Sequence, residues 1–146
     1  MPLEPTPFNE LVDEFLLRAP LPLNGVGSYS FDFSKVSSVL RRGWNYVNLA
    51  ENSDKVYFCD LILAKHGSQD FFFVITRWGR RGRNLSYKIV KLDTKEEALA
   101  VADKISKDRY KHEYQIQFEI RGSDESVARE KVPDESVPLI PDYEEI

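Results

Sequence analysis

A chain of 146 residues has the length of one domain with a core of its own, which argues against a catalytic module joined to a separate binding module. Its charged fraction of 30% and hydrophobic fraction of 42% are those of an ordinary folded domain, and no apolar run reaches the length of a membrane span. The net charge of −4, taken alone, speaks against a polynucleotide binder, and a single cysteine, Cys59, against a disulfide framework or a cysteine metal cluster.

The amino terminus, MPLEPTPFNE, lacks the basic start and apolar core of a secretory signal, so an intracellular location, cytoplasmic or nuclear, is expected. TPFNELVDEFLLRAP predicts a helix with Thr6 as N-cap and Pro7 at the first helical position. Phe8, Leu11, Val12, Phe15 and Leu16 recur at helical spacing. Pro20 and Pro22 stop it. This amphipathic helix is expected to pack on the main domain, and LPLNGVGSYS to be a turn-rich connector, so that helix and connector occupy residues 1–35.

From Trp44 the period changes. WNYVNL alternates, VYFCDLIL is a β-branched and aromatic run that takes Cys59 as a small apolar residue, KHGSQD is a turn, and FFFVITRW is a second long strand; together they predict a hairpin. LSYKIVKL predicts a third strand, with Tyr87, Ile89 and Lys91 facing one way and Lys88, Val90 and Leu92 the other. In DTKEEALAVADKISKDRY Thr94 and Glu97 have the offset of a capping box, and Ala98, Leu99, Ala102 and Ile105 form a buried stripe. YQIQFEI then alternates, placing Tyr114, Ile116, Phe118 and Ile120 inward and Gln115, Gln117 and Glu119 outward. Short strands with one well-capped helix give an α+β domain over residues 36–121, an antiparallel sheet with its main helix on one face. Residues 122–146 are rich in prolines and acids without apolar periodicity, and read as an acidic, flexible tail.

Charge is segregated along these pieces. Residues 1–40 hold two basic and five acidic side chains, residues 41–115 fifteen and ten, and residues 116–146 three and nine, so the middle segment is locally basic. Its densest part is RWGRRGR, Arg77 to Arg83, with four arginines in seven residues. In an extended strand Phe72, Val74, Thr76 and Trp78 share one face, and Phe71, Phe73, Ile75 and Arg77 the other. Gly79 and Gly82 permit a sharp turn and a close backbone approach. The first acid after Asp70 is Asp93, so the cluster has no local counter-charge, and guanidinium forks beside an indole suit phosphates and a stacked sugar or base. The bland alternative is a tryptophan in the half-core and a solvated turn. RRGWNY, with Arg41, Arg42, Trp44 and Tyr46, either extends that surface or is a strand start with Trp44 in the core. His66 and His112 have no cysteine or carboxylate at metal or nucleophile spacing, and no phosphate-cradling glycine loop occurs, so no catalytic residue, cofactor or metal is expected.

The order of hairpin, RWGRRG turn, strand, capped helix and final strand over about residues 43–120 resembles the WGR domain, named for the tripeptide present here as Trp78, Gly79 and Arg80. That family occurs beside the catalytic region of DNA-damage-dependent poly(ADP-ribose) polymerases and in shorter bacterial proteins. The resemblance implies a small antiparallel sheet crossed by a helix, and a DNA-binding role in which the motif tryptophan packs on a terminal sugar. Carried over, Trp78 is the stacking residue and Arg80 an anchor or relay. Arg77, Arg81, Arg83 and Lys88 are phosphate partners, with Lys107, Arg109 and Lys111 near the helix end. Leu85 and Ser86 stand where family members often have a further glycine, and no polymerase catalytic region follows. The expectation is a non-catalytic module for DNA ends or breaks. The alternative is an adaptor that docks a protein partner through its acidic tail or arginine edge.

Overall fold

The computed structural model describes residues 2–18, 33–51, 53–122 and 125–128. The helix α1 spans Phe8–Arg18. It is followed by β1 (Lys35–Asn48), a 3-10 turn at Leu49–Glu51, β2 (Ser53–His66), β3 (Gln69–Arg80) and β4 (Ser86–Leu92). The helix α2 (Lys95–Lys111), β5 (Gln115–Arg121) and a short β6 (Ser126–Ala128) complete the elements of the described residues. The strands form one antiparallel sheet in the order β4-β3-β2-β1-β5, and β6 pairs with β1 beside β5. Among the described residues no helix is long and apolar enough to cross a membrane.

Both faces of the sheet are covered, one by each helix. Phe8, Leu11, Val12 and Phe15 bury the apolar side of α1 against Ile62, Ala64, Phe71, Phe73 and Ile75, with the Phe15 and Phe73 rings 4.9 Å apart. On the other face Ala98 and Ala102 of α2 meet Leu40, Trp44, Cys59, Leu61 and Val74. Small residues on the helix stripe let α2 sit close to the strands, and the capping box between Thr94 and Glu97 fixes where it starts. The central strands are apolar on both sides because both sides are core. Burial also pushes the Cys59 thiol up to about 12. An unpaired thiolate has no place in that interior.

Several expectations are corrected. The first strand starts at Lys35, nine residues ahead of Trp44, since KVSSVL continues the apolar alternation that WNYVNL ends. The α1 helix opens with the Pro7 carbonyl accepting from Glu10 and Leu11 N–H at 3.0 and 3.1 Å, whereas the Thr6 hydroxyl accepts from Arg77 Nη1 at 3.0 Å. The alternation of β5 breaks: Gly43 lies opposite Phe118 but Trp44 lies opposite Ile116, so Gln117 is an extra residue. That bulge reverses the parity. Tyr114 therefore packs with the α2-side cluster and Phe118 with Phe58 on the α1 side, leaving Ile116 40% exposed. Ser126–Ala128, expected in a flexible tail, pairs with β1, and Val127 packs on the α1-side core. The connector LPLNGVGSYS and the rest of the acidic segment lie outside the described residues.

Candidate nucleic-acid interface

The arginine cluster does not share one environment, because adjacent strand residues point to opposite faces and the glycines redirect the rest. Arg77 turns to the α1 face, where it is 7% exposed. Its Nη2 bonds Asp60 Oδ2 at 3.2 Å and its guanidinium lies 4.4 Å from the Phe58 ring centroid. The same carboxylate accepts from Arg41 Nε at 2.7 Å. Arg77 thus leaves the Trp78 face, as the strand alternation expects, and its guanidinium is engaged by Asp60. Arg81 likewise has a counter-ion, Asp54, at 3.0 Å. Both acids come from β2. The gap between Asp70 and Asp93 in sequence hid partners that the hairpin register brings alongside.

Trp78 lies on the opposite face, half-buried, with its ring stacked on Tyr57 at 5.8 Å and 18°. The Arg109 guanidinium sits 4.1 Å from the Tyr57 centroid and 4.8 Å from that of Tyr114. Tyr114 in turn lies 5.7 Å from Tyr46, and Lys55 Nζ is 6.0 Å from the Tyr46 centroid. Cross-strand register explains the assembly. Trp78 is opposite Tyr57, which is opposite Trp44; one row further out, Arg80 is opposite Lys55, which is opposite Tyr46. Directly opposed residues share a face, so an aromatic row is bordered by a basic one at the end of the sheet beyond α2. Trp44 itself is fully buried, and Arg41 and Arg42 are buried in ion pairs. RRGWNY is therefore core, with only Tyr46 reaching the surface row.

Beside these rows opens a hollow of about 590 Å³ lined by Tyr46, Lys55, Arg109, Lys111, His112 and Tyr114 and also by the carboxylates Glu51 and Glu113. Its walls pair π surfaces with cations, the combination that holds bases and phosphates. Burial pushes the Tyr57 hydroxyl above its ordinary range, and Arg109 pulls it partly back. Tyr57 therefore stays neutral at physiological pH. Lys88 stands opposite Thr76 on the Trp78 side of β4 and is exposed, as is Lys107 on α2. Arg83 is exposed on the far side of the turn, where Gly79 (φ 150°) and Gly82 (φ 82°) take backbone conformations that side chains rarely allow. Leu85, at the position where family members often carry a further glycine, packs against the cluster of Leu3, Val56 and Phe58 and ties the turn down on the α1 side.

Sequence reasoning placed Trp78 and Arg80 together and offered Tyr46 as one reading of RRGWNY, but missed Lys55, Tyr57 and Tyr114. The parity of Lys55 with Tyr57, and of Trp44 with Tyr46, was available. The register that aligns those pairs with Trp78 and Arg80 was not. His66, expected to be solvated in a turn, ends β2 half-buried, 6.5 Å from the Phe33 ring. Among the described residues, no group of three His, Cys, Asp or Glu could hold a metal ion.

The sequence profile of the WGR domain matches residues 41–119. The chain belongs to the WGR family. No curated protein and no solved structure matches it at a level that identifies a relative. WGR domains are non-catalytic modules of nucleic-acid-binding type, and the matched residues run from Arg41 in β1 to Glu119 in β5. The helix α1 and the strand β6 therefore lie outside the match.

Proposed function

We propose that this WGR protein is a non-catalytic nucleic-acid-binding module that holds DNA ends or breaks, with Trp78 stacking on an exposed sugar or base. Arg80, Lys88, Arg109 and Lys111 hold backbone phosphates, and Lys55 joins them from the opposite strand. The observation that carries the reading is the aromatic row from Trp78 through Tyr57 to Tyr114, bordered by cations at an open end of the sheet. Stacking on a π surface is tolerant of sequence, and phosphate contacts are blind to it, so the module is expected to recognise ends by shape. Arg81, already paired with Asp54, contributes less.

The test is a titration of blunt-ended, nicked and closed circular duplexes at several salt concentrations. Affinity for the first two should exceed that for the circle and fall steeply with salt. Trp78→Ala should weaken binding by about 1–3 kcal/mol, roughly five- to 150-fold. Arg80→Ala should lower the salt slope by about one. Unchanged affinity in both variants refutes the proposal, and failure to bind any duplex at low salt favours the adaptor reading.

A further inference from the structure

On the α1 side of the sheet, away from Trp78, a second hollow of about 410 Å³ lies between α1 and the β3–β4 turn. Its walls are Glu14 and Arg18 of α1, Arg77 of β3, Arg83, Asn84 and Leu85 of the turn, and Tyr87 of β4. Arg77 and Tyr87 are direct cross-strand neighbours. We infer that this hollow is an oxyanion site for a phosphate group, lined by Arg77, Arg83, Asn84 and Tyr87 and closed by Arg18.

Charge is the first support. Glu14 is taken by Arg18, at 3.0 Å. Asp60 is divided between Arg41 and Arg77, and among the described residues no other acid reaches Arg77. Glu125 lies 3.7 Å from Arg41 Nη1. Arg83 is exposed and makes no ion pair among the described residues. Positive charge in the hollow therefore exceeds negative charge, and an entering anion would offset it. Donor chemistry is the second. Arg77 Nε and Tyr87 Oη are both enclosed without a hydrogen-bond partner. Such groups usually find one, and each can donate to an oxyanion. Burial raises the Tyr87 hydroxyl above its ordinary range, against the pull of Arg77, so it keeps the proton that it would donate. The third is access. Arg18 lies 4.5 Å over the Tyr87 ring and is held by an exposed ion pair, a contact weak enough to open.

The site is separate from the proposed DNA face, and the two fail independently. Inorganic phosphate is titrated into the full chain at fixed ionic strength, with chloride as control, by calorimetry and thermal unfolding. Saturable heat and a Tm that climbs with phosphate are expected. Arg83→Ala and Tyr87→Phe should each weaken phosphate binding about tenfold or more, the size of a lost charged hydrogen bond. Without phosphate, Tyr87→Phe should hold or raise Tm, because it removes an unpartnered hydroxyl. Trp78→Ala and Lys88→Ala, on the other face, should leave phosphate binding intact. No response beyond that to chloride, or an equal loss in Lys88→Ala, overturns the site. Competition identifies the source: if phosphate displaces duplex and Arg83→Ala weakens duplex binding, the hollow takes a backbone phosphate, and if neither occurs it takes a free one. Either result presupposes and supports the site.

Discussion

Asp60→Asn is the sharpest probe of the charge arrangement behind the Trp-Gly-Arg turn. The Asp60 carboxylate is 2% exposed and accepts from Arg41 at 2.7 Å through one oxygen and from Arg77 at 3.2 Å through the other. An amide of the same shape can accept from one of them only, and turns its own NH2 toward the second guanidinium. Two buried cations then share no anion between them. Removing one member of a buried pair costs about 3–5 kcal/mol, mostly from the charge left uncompensated. With an unfolding entropy of about 2.1 cal/mol/K per residue, 146 residues give roughly 0.3 kcal/mol/K, so Tm should fall by about 10–16 °C. Thermal unfolding followed by circular dichroism and by fluorescence of the buried Trp44 reads it. Asp54→Asn is the comparison, because its pair with Arg81 is 46% and 29% exposed on the two sides and should be worth no more than about 1 kcal/mol. Equal shifts in the two variants would refute the view that a shared buried carboxylate organises the α1 face.

Two further outcomes follow from the packing and from the buried thiol. Gly43→Ala would place a Cβ 2.2 Å from Phe118 Cε2, so the ring must leave its site on Phe58; a loss of about 1–3 kcal/mol is expected in denaturant unfolding, and an unchanged midpoint would show that β5 is not held there. Cys59, raised to about 12 by burial, should react with thiol reagents at pH 8 only through unfolding, at a rate that rises with denaturant. Because its folded value lies above the unfolded one near 9, its contribution to stability is full below pH 9 and is lost as pH climbs toward 12, so alkaline titration should destabilise the wild type more than Cys59→Ser.

Local chemistry made most of the fold legible. The capping box at Thr94 and Glu97, the apolar stripe of α1 and the hairpin of β2 and β3 all arise from contacts within a few residues, which pattern and propensity encode. What escaped depends on pairs distant in sequence. The bulge at Gln117 is set by Phe118 seating over Gly43 of β1, and nothing in YQIQFEI marks the extra residue. The neighbours of Thr6 suit a helix cap, yet its hydroxyl accepts from Arg77, 71 residues away. The site followed the same division: the tripeptide is visible in the sequence, but the tyrosines and lysine that continue its face arrive through register.

Parity explains why a run of arginines can be both stable and useful here. Arg77 and Trp78 are one residue apart, and in a strand that single step separates them by the thickness of the sheet. Had all the cations shared the Trp78 face, their mutual repulsion would oppose folding with no acid in the turn to relieve it. The division sends Arg77 to Asp60 beneath α1 and Arg81 to Asp54, and keeps Arg80 in the row with Lys55. Inserting one residue between Thr76 and Arg77 would exchange the faces, burying the indole beside Asp60 and turning the paired guanidinium outward. Such an insertion should abolish duplex binding and lower stability together, whereas Trp78→Ala should weaken binding while leaving the Asp60 pairs, and the greater part of the stability, in place.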